Sequence, residues 1–218
     1  MNLKCMRWLA LSGLLLAGAA AAEGFALGVK AGTLGAGLEA TYGLSPRFNL
    51  RLGINSYTYE YDETTSGIRY DAELDLGSGA LLLDWHPFAG VFRVSLGYMR
   101  NDNILRLTAT PTGDQEIGGN TYTPTDIGTL SGEMTFAENV PYFGIGWGNA
   151  ARGKGLGFSF ELGAMFQDSP QVALRGNGGR AGDPQFENDL RREEREIEED
   201  LKEFKVYPVV SFGLSYHF

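Results

Sequence analysis

The sequence has 218 residues, 43% of them hydrophobic and 12% aromatic, with 31 glycines, about twice the usual share. Its 27 acidic and 18 basic side chains give a formal net charge of −9. That balance excludes the clustered Lys/Arg footprint of a nucleic-acid-binding surface, and after Ala22 no apolar run approaches the ~18–20 residues of a membrane-spanning helix.

The first segment, Met1–Ala22, reads as a secretory signal peptide. Lys4 and Arg7 supply the positive start, Trp8 to Ala17 the apolar stretch, and Ala20-Ala21-Ala22 the small-residue cleavage site before Glu23. Cys5 precedes the apolar stretch and no cysteine follows it, so a lipoprotein anchor is not expected. The mature chain, 23–218, then has no cysteine, and its 16 basic and 27 acidic residues leave a net charge of −11. An exported chain without disulfides must be held together by other means.

From Phe25 onward the dominant pattern is period-two alternation, the mark of strands with one apolar and one polar face. Two weaker runs, Phe25–Ala31 and Ala36–Leu44, come first. Phe48, Leu50, Leu52 and Ile54 alternate next, then Tyr70, Ala72, Leu74 and Leu76, then Phe92, Val94, Leu96 and Tyr98. Phe143, Ile145 and Trp147 follow, then Leu156 through Phe166, and finally Val206 through Phe218. That makes eight strands.

Three connections are short: Ser45-Pro46-Arg47, His86–Gly90 and Asn149–Lys154. In an eight-stranded meander they all fall at one end. The tight Gly32–Gly35 turn, the Asp62–Gly67 loop and two long loops, about 108–139 and 167–204, fall at the other. Outer-membrane barrels show this asymmetry, with short periplasmic turns and long external loops. The apolar face carries almost no charge. The opposite face mixes Gly and Ser with Lys30, Glu39, Arg51, Asp71, Glu73, Asp75, Arg93 and Glu161. A polar interior beneath an apolar exterior inverts the soluble arrangement, and in lipid a sheet must close to satisfy its edges. Aromatic residues gather near the short turns: Tyr42, Phe48, Trp85, Phe92, Trp147, Tyr216 and Phe218. Such rings favour the headgroup level and form a girdle.

The chain resembles a small bacterial outer-membrane β-barrel of the OmpA/OmpX-like class, at the level of pattern over Phe25–Phe218. Its most specific element is the end, Val210-Ser211-Phe212-Gly213-Leu214-Ser215-Tyr216-His217-Phe218. Phe212, Leu214, Tyr216 and Phe218 resemble the signal that the barrel-assembly machinery reads in this class. The resemblance implies that machinery as a partner during biogenesis and outer-membrane lipid as the surrounding medium. It also implies a closed antiparallel up-and-down transmembrane barrel, monomeric, with both ends periplasmic.

A barrel of eight strands is filled by its own side chains. The expected inward set, three basic and five acidic residues, reads as a hydrogen-bonded network that pins strand register. A narrow cation-preferring path is the alternative. Asp71, Glu73 and Asp75 sit on alternate positions of one strand without further converging ligands, and no metal is assigned to them. Abundant inward glycine reads as room for larger neighbours.

Within the second long loop, Asp183–Lys205 has helical spacing. Asp183-Pro184 supplies a cap and first position, and Phe186, Leu190, Ile197, Leu201 and Phe204 share a face. That stripe suits either capping the barrel mouth or lying over the preceding loop, with Arg191, Arg192 and Arg195 pairing along the helix. In the first long loop, Gln115-Glu116-Ile117 and Thr121-Tyr122-Thr123 flank Gly118-Gly119-Asn120 as a small hairpin. The two mature-chain histidines, His86 and His217, both belong to the short-turn end, away from a position facing outer-leaflet lipid. No base beside a nucleophile can be placed, and no P-loop, dinucleotide fingerprint or Cys-based metal motif is present. The expected protein is therefore a non-enzymatic barrel without cofactor, with a structural or loop-mediated adhesive or binding role; a narrow channel for small cations or small apolar solutes is the alternative, and a lipid-modifying enzyme the least favoured.

Overall fold

In the computed structural model, residues 24–65 and 68–218 are described; the expected signal segment, Met1–Ala22, lies outside them. Among the described residues the fold is an all-β antiparallel sheet with two helices. Its eight ring strands are β1 (Phe25–Gly32), β2 (Gly35–Ser45), β3 (Phe48–Thr65), β4 (Ile68–Trp85), β5 (Phe92–Asn101), β10 (Asn139–Trp147), β11 (Gly155–Phe166) and β13 (Val206–His217). Each pairs with its neighbour in that order, and β13 pairs back onto β1, so the sheet closes. These are the eight strands expected from alternation.

Five further strands correct the simple picture: β6 (Ile104–Thr110), β7 (Gln115–Ile117), β8 (Asn120–Tyr122), β9 (Leu130–Thr135) and β12 (Gln171–Gly176). The expected Asp62–Gly67 loop is largely strand. β3 and β4 stay paired from Phe48↔Trp85 to Thr65↔Ile68 without a register shift. Their lower halves belong to the ring, and their upper halves rise beyond it. There β4 exchanges β5 for β6, and β9 and β12 continue the sheet. The two expected long loops therefore fold back onto a raised sheet of order β3-β4-β6-β9-β12.

The lumen is layered. Its short-turn half holds ionic side chains. Above them Leu34, Ala80, Leu82, Met99, Val140, Tyr142, Met165 and Val209 form a buried apolar cluster. Leu34 comes from the β1–β2 turn and is only 5% exposed. Thr33 stitches that turn to the last strand: its hydroxyl donates to the Pro208 carbonyl and accepts from Val210 N–H. Inward glycine makes room for large side chains. A Cβ on Gly53 would meet Lys30 Nζ at 3.0 Å, and one on Gly163 would collide with the Tyr142 hydroxyl.

A second apolar cluster sits on the raised sheet. Ile117, Tyr122, Ile127, Phe186 and Leu190 are buried against Leu130 and Leu174. They come from the β7–β8 hairpin, the short helix α1 (Pro124–Ile127) and the long helix α2 (Pro184–Asp200). Asp183 caps α2 by accepting from Gln185 and Phe186 N–H at 2.9 and 3.2 Å, so Pro184 takes the first helical position, where no N–H is needed. The helix lies along β12 and the hairpin. Phe204 falls beyond the helix and is exposed.

Candidate functional site: the lumen network and the raised sheet

Of the expected inward charges, Lys30, Glu39, Arg51, Arg93 and Glu161 meet inside the ring, joined by Asp84. Arg51 is the hub. Its guanidinium lies 3.2 Å from Glu39, 2.9 Å from Asp84 and 2.6 Å from Glu161. Lys30 approaches Glu39 at 3.4 Å, and Arg93 approaches Glu161 at 2.5 Å while donating to the Gly148 carbonyl. Ser95 donates to Asp84 at 2.6 Å, and the Tyr142 hydroxyl donates to Glu161. Charges this deep are tolerable only when paired and hydrogen-bonded. With three cations facing three carboxylates, the network is neutral.

Asp71, Glu73 and Asp75 are not in the interior, which corrects the expected inward set. They lie on the raised half of β4, on the face continuous with the outside of the ring. There Arg106 of β6 approaches Glu73 at 2.9 Å, Asp75 at 2.5 Å and Glu133 of β9 at 3.4 Å. The cause is a change of phase. In lower β4 the outward residues are Leu81, Leu83 and Trp85, whereas the apolar residues of upper β4 are Ala72, Leu74 and Leu76, on the other face. β3 switches at the paired level, from Leu50, Leu52 and Ile54 to Tyr57, Tyr59 and Tyr61. The pivot is the pair Ser56↔Gly77.

Polarity therefore inverts with height. Below the pivot, the outward positions of the ring strands are uncharged up to the level of Ile54↔Gly79; Leu156 and Phe158 are 71% and 79% exposed. At its upper margin Arg100 is the first outward charge on β5, held by Asp102 at 2.9 Å and Glu138 at 3.5 Å. Above the pivot, Thr58, Glu60, Asp62, Asp71, Glu73 and Asp75 occupy the same face.

The expected girdle residues line the rim near the short turns. Phe48 pairs with Trp85, and Phe92 with Trp147, whose rings meet edge to face at 5.8 Å. Tyr42 pairs with Phe25. Around the seam, Phe160 and Phe212 pack at 4.9 Å, Tyr216 and Phe218 at 5.2 Å, and Phe25 and Phe218 at 6.3 Å. Leu214 is on the outer face of β13 between them. His86, next to Trp85, is fully buried; its Nδ1 faces the Phe92 carbonyl at 3.1 Å and its Nε2 the Asn49 amide at 3.1 Å. His217 pairs with Ala26 and Gly155 at the opposite side of that rim.

Sequence reasoning missed Asp84 because Leu81-Leu82-Leu83 hides the alternation before it. It also missed the cross-links of α2. Glu194 and Glu198 accept from the Leu174 and Val172 N–H groups of β12 at 2.7 and 2.9 Å. Glu193 accepts from Gly118 N–H, and Arg192 donates to the Gly118 carbonyl. These charges join elements rather than forming the expected ladder along the helix. Asp189 accepts from the Tyr122 hydroxyl at 2.5 Å and from Asn120 at 2.8 Å. That bond holds the carboxyl below the usual range, while burial pushes the Tyr122 hydroxyl up to about 12. Among the described residues no group of three or more His, Cys, Asp or Glu side chains is arranged to hold a metal ion.

Together these features define a class: a closed eight-stranded antiparallel ring with an apolar outer wall, an ionic lumen topped by a buried apolar cluster, and a raised sheet. Two solved structures share the fold. CarO2 of Acinetobacter baumannii is 24% identical with a TM-score of 0.58, covering 89% of this chain and 98% of its own. CarO of the same organism is 22% identical with a TM-score of 0.58, covering 90% and 98% respectively. No family model and no curated protein sequence matches the chain.

Proposed function

We propose that this protein is an integral outer-membrane β-barrel, monomeric, with Phe25 and Phe218 on the periplasmic side and the raised sheet outside the cell. Its role is structural or binding, exercised through that sheet with its hairpin and helix, and involves no catalysis. The observation that carries the reading is the inversion of polarity at Ser56↔Gly77 on two paired strands without any break in register. Continuous strands expose leucine and isoleucine on one face below this level and carboxylates on the same face above it. A bilayer boundary at that height accounts for both, because lipid selects apolar contact and water selects charge. The aromatic rim at the short-turn end suits the other boundary. The likeness in fold to the two CarO structures is compatible with this reading.

The apolar cluster above the neutral network supports a closed lumen over a cation path, since Leu34, Leu82, Met99 and Met165 fill the level an ion would cross. His86 supports the non-catalytic reading, because its ring nitrogens face Asn49 and the Phe92 carbonyl rather than a nucleophile.

Heat-dependent gel mobility of protein recovered from the outer-membrane fraction tests both closure and location. A compact band before boiling and a slower one after is expected. A folded monomer in detergent-free buffer would overturn the proposal.

A further inference from the structure

The raised sheet has two side edges, and the protein treats them differently. At β12 the helix glutamates Glu194 and Glu198 occupy the outward N–H groups of Leu174 and Val172. At β3 no such pair of helix glutamates lies along the edge among the described residues. Strand β2 pairs with β3 only up to Ala36↔Ser56, and beyond that level β4 is the one strand laddered to β3 among the described residues. In an antiparallel pair, alternate residues turn their N–H and C=O groups away from the partner, so upper β3 is a sheet edge with no second strand beside it among the described residues.

From the geometry we propose that upper β3 is an edge for strand addition, and that its occupant is an extended segment of a partner polypeptide alternating apolar and basic residues. This deepens the binding role proposed above and rests on it. The alternation follows from the two faces of the edge. Tyr57 and Tyr59, 53% and 54% exposed, stand on one face beside Leu76 and Leu74 of β4. Thr58, Glu60 and Asp62 stand on the other, beside Asp75, Glu73 and Asp71. Arg106 attends to Glu73 and Asp75, while Glu60 and Asp62 have no ion-pair partner among the described residues.

An added strand sets its side chains alternately beside each face, as in other strand-addition complexes. Its apolar positions cover tyrosine and leucine, and its basic positions meet carboxylates. A second copy of this chain is a poor occupant, because edge-to-edge pairing would bring Glu60 and Asp62 against like charges. The protein thus discourages self-pairing while leaving the edge open to a basic strand.

The test uses the full mature chain folded in detergent micelles and an eight-residue peptide alternating valine and lysine. Binding is expected to slow amide exchange at residues 57–62. The double reversal Glu60→Lys, Asp62→Lys should weaken binding about ten-fold and transfer it to a valine–glutamate peptide. Heat-dependent gel mobility verifies that the variant has folded. Equal binding of a block-ordered peptide of the same composition would overturn the proposal, as would protection elsewhere, no protection at all, or indifference to the reversal. Each of these outcomes leaves membrane location standing, since the gel shift reads that separately.

Discussion

Arg51 shows how much one side chain is asked to do. It reaches Glu39, Asp84 and Glu161 from the centre of the lumen. Arg51→Met would strand these carboxylates in a confined space, and removing one partner of a buried pair costs about 3–5 kcal/mol. The expected readout is a large fall in the temperature at which the compact gel form is lost. Lys30→Met, which removes a single 3.4 Å contact at the margin, should cost far less. Arg51 and Glu161 were legible from strand parity. Asp84 was not, because the three leucines before it mask which face is which. On the raised sheet, Asp189 carries a pH dependence. Its carboxyl is held below the ordinary Asp value by the Tyr122 hydroxyl. A depressed folded value adds stability above the unfolded value of about 3.9, lost as pH falls through the lower folded one. Near-UV circular dichroism from the Tyr122–Phe186 pair should hold from pH 7 to about 5 and change only below about 4; a transition above that would contradict the role given to Asp189.

At the scale of the element, β3 and β4 each obey two environments. On the ring half, Leu96→Arg of neighbouring β5 places a charge where lipid is expected and should destabilise by about 2–4 kcal/mol in denaturant unfolding from lipid vesicles. Thr58→Arg, on the same face above the pivot, should be nearly neutral. Similar costs at both sites would argue against a bilayer boundary between them. The phase change was present in the sequence, as even-numbered apolar positions up to Ile54 and odd-numbered ones from Tyr57. Reading each run separately concealed it and put Asp71, Glu73 and Asp75 inside. Strands β6, β9 and β12 were illegible for another reason. Each offers only one or two large apolar residues on one face, such as Leu105 and Leu107 or Val172 and Leu174, too few to separate a strand from a Thr- and Gly-rich loop. Helix α2 was legible because cap, proline and stripe agree. Its lateral grip on β12 depends on a strand that could not be seen. Glu194→Ala with Glu198→Ala should expose the Arg191-Arg192 region to trypsin faster while the barrel gel shift persists; unchanged cleavage would mean that the apolar cluster alone holds the helix.

For the whole molecule, the ring combines an apolar wall with a lumen whose paired charges balance and whose next level holds the buried cluster of Leu34, Leu82, Met99 and their neighbours. Planar bilayers containing the folded protein are expected to show no steady current. Reproducible single-channel steps would overturn the closed reading and restore the cation path. The last strand makes a separate prediction. Deleting Phe218 should slow insertion in cells, because the ring of contacts through Phe25 and Tyr216 loses its terminal member. Normal assembly kinetics would remove the terminal pattern from consideration as a recognition signal.

The first and last ring strands are neighbours, and the Phe218 N–H donates to the Phe25 carbonyl at 3.2 Å. A short covalent linker between these positions, with the polypeptide reopened in the β10–β11 turn, would yield a circular permutant with the same cylinder and a different final strand. Such a molecule moves the Phe218 pattern into the middle of a polypeptide while keeping the cylinder, so the proposed recognition of that pattern is read apart from the stability of the closed ring.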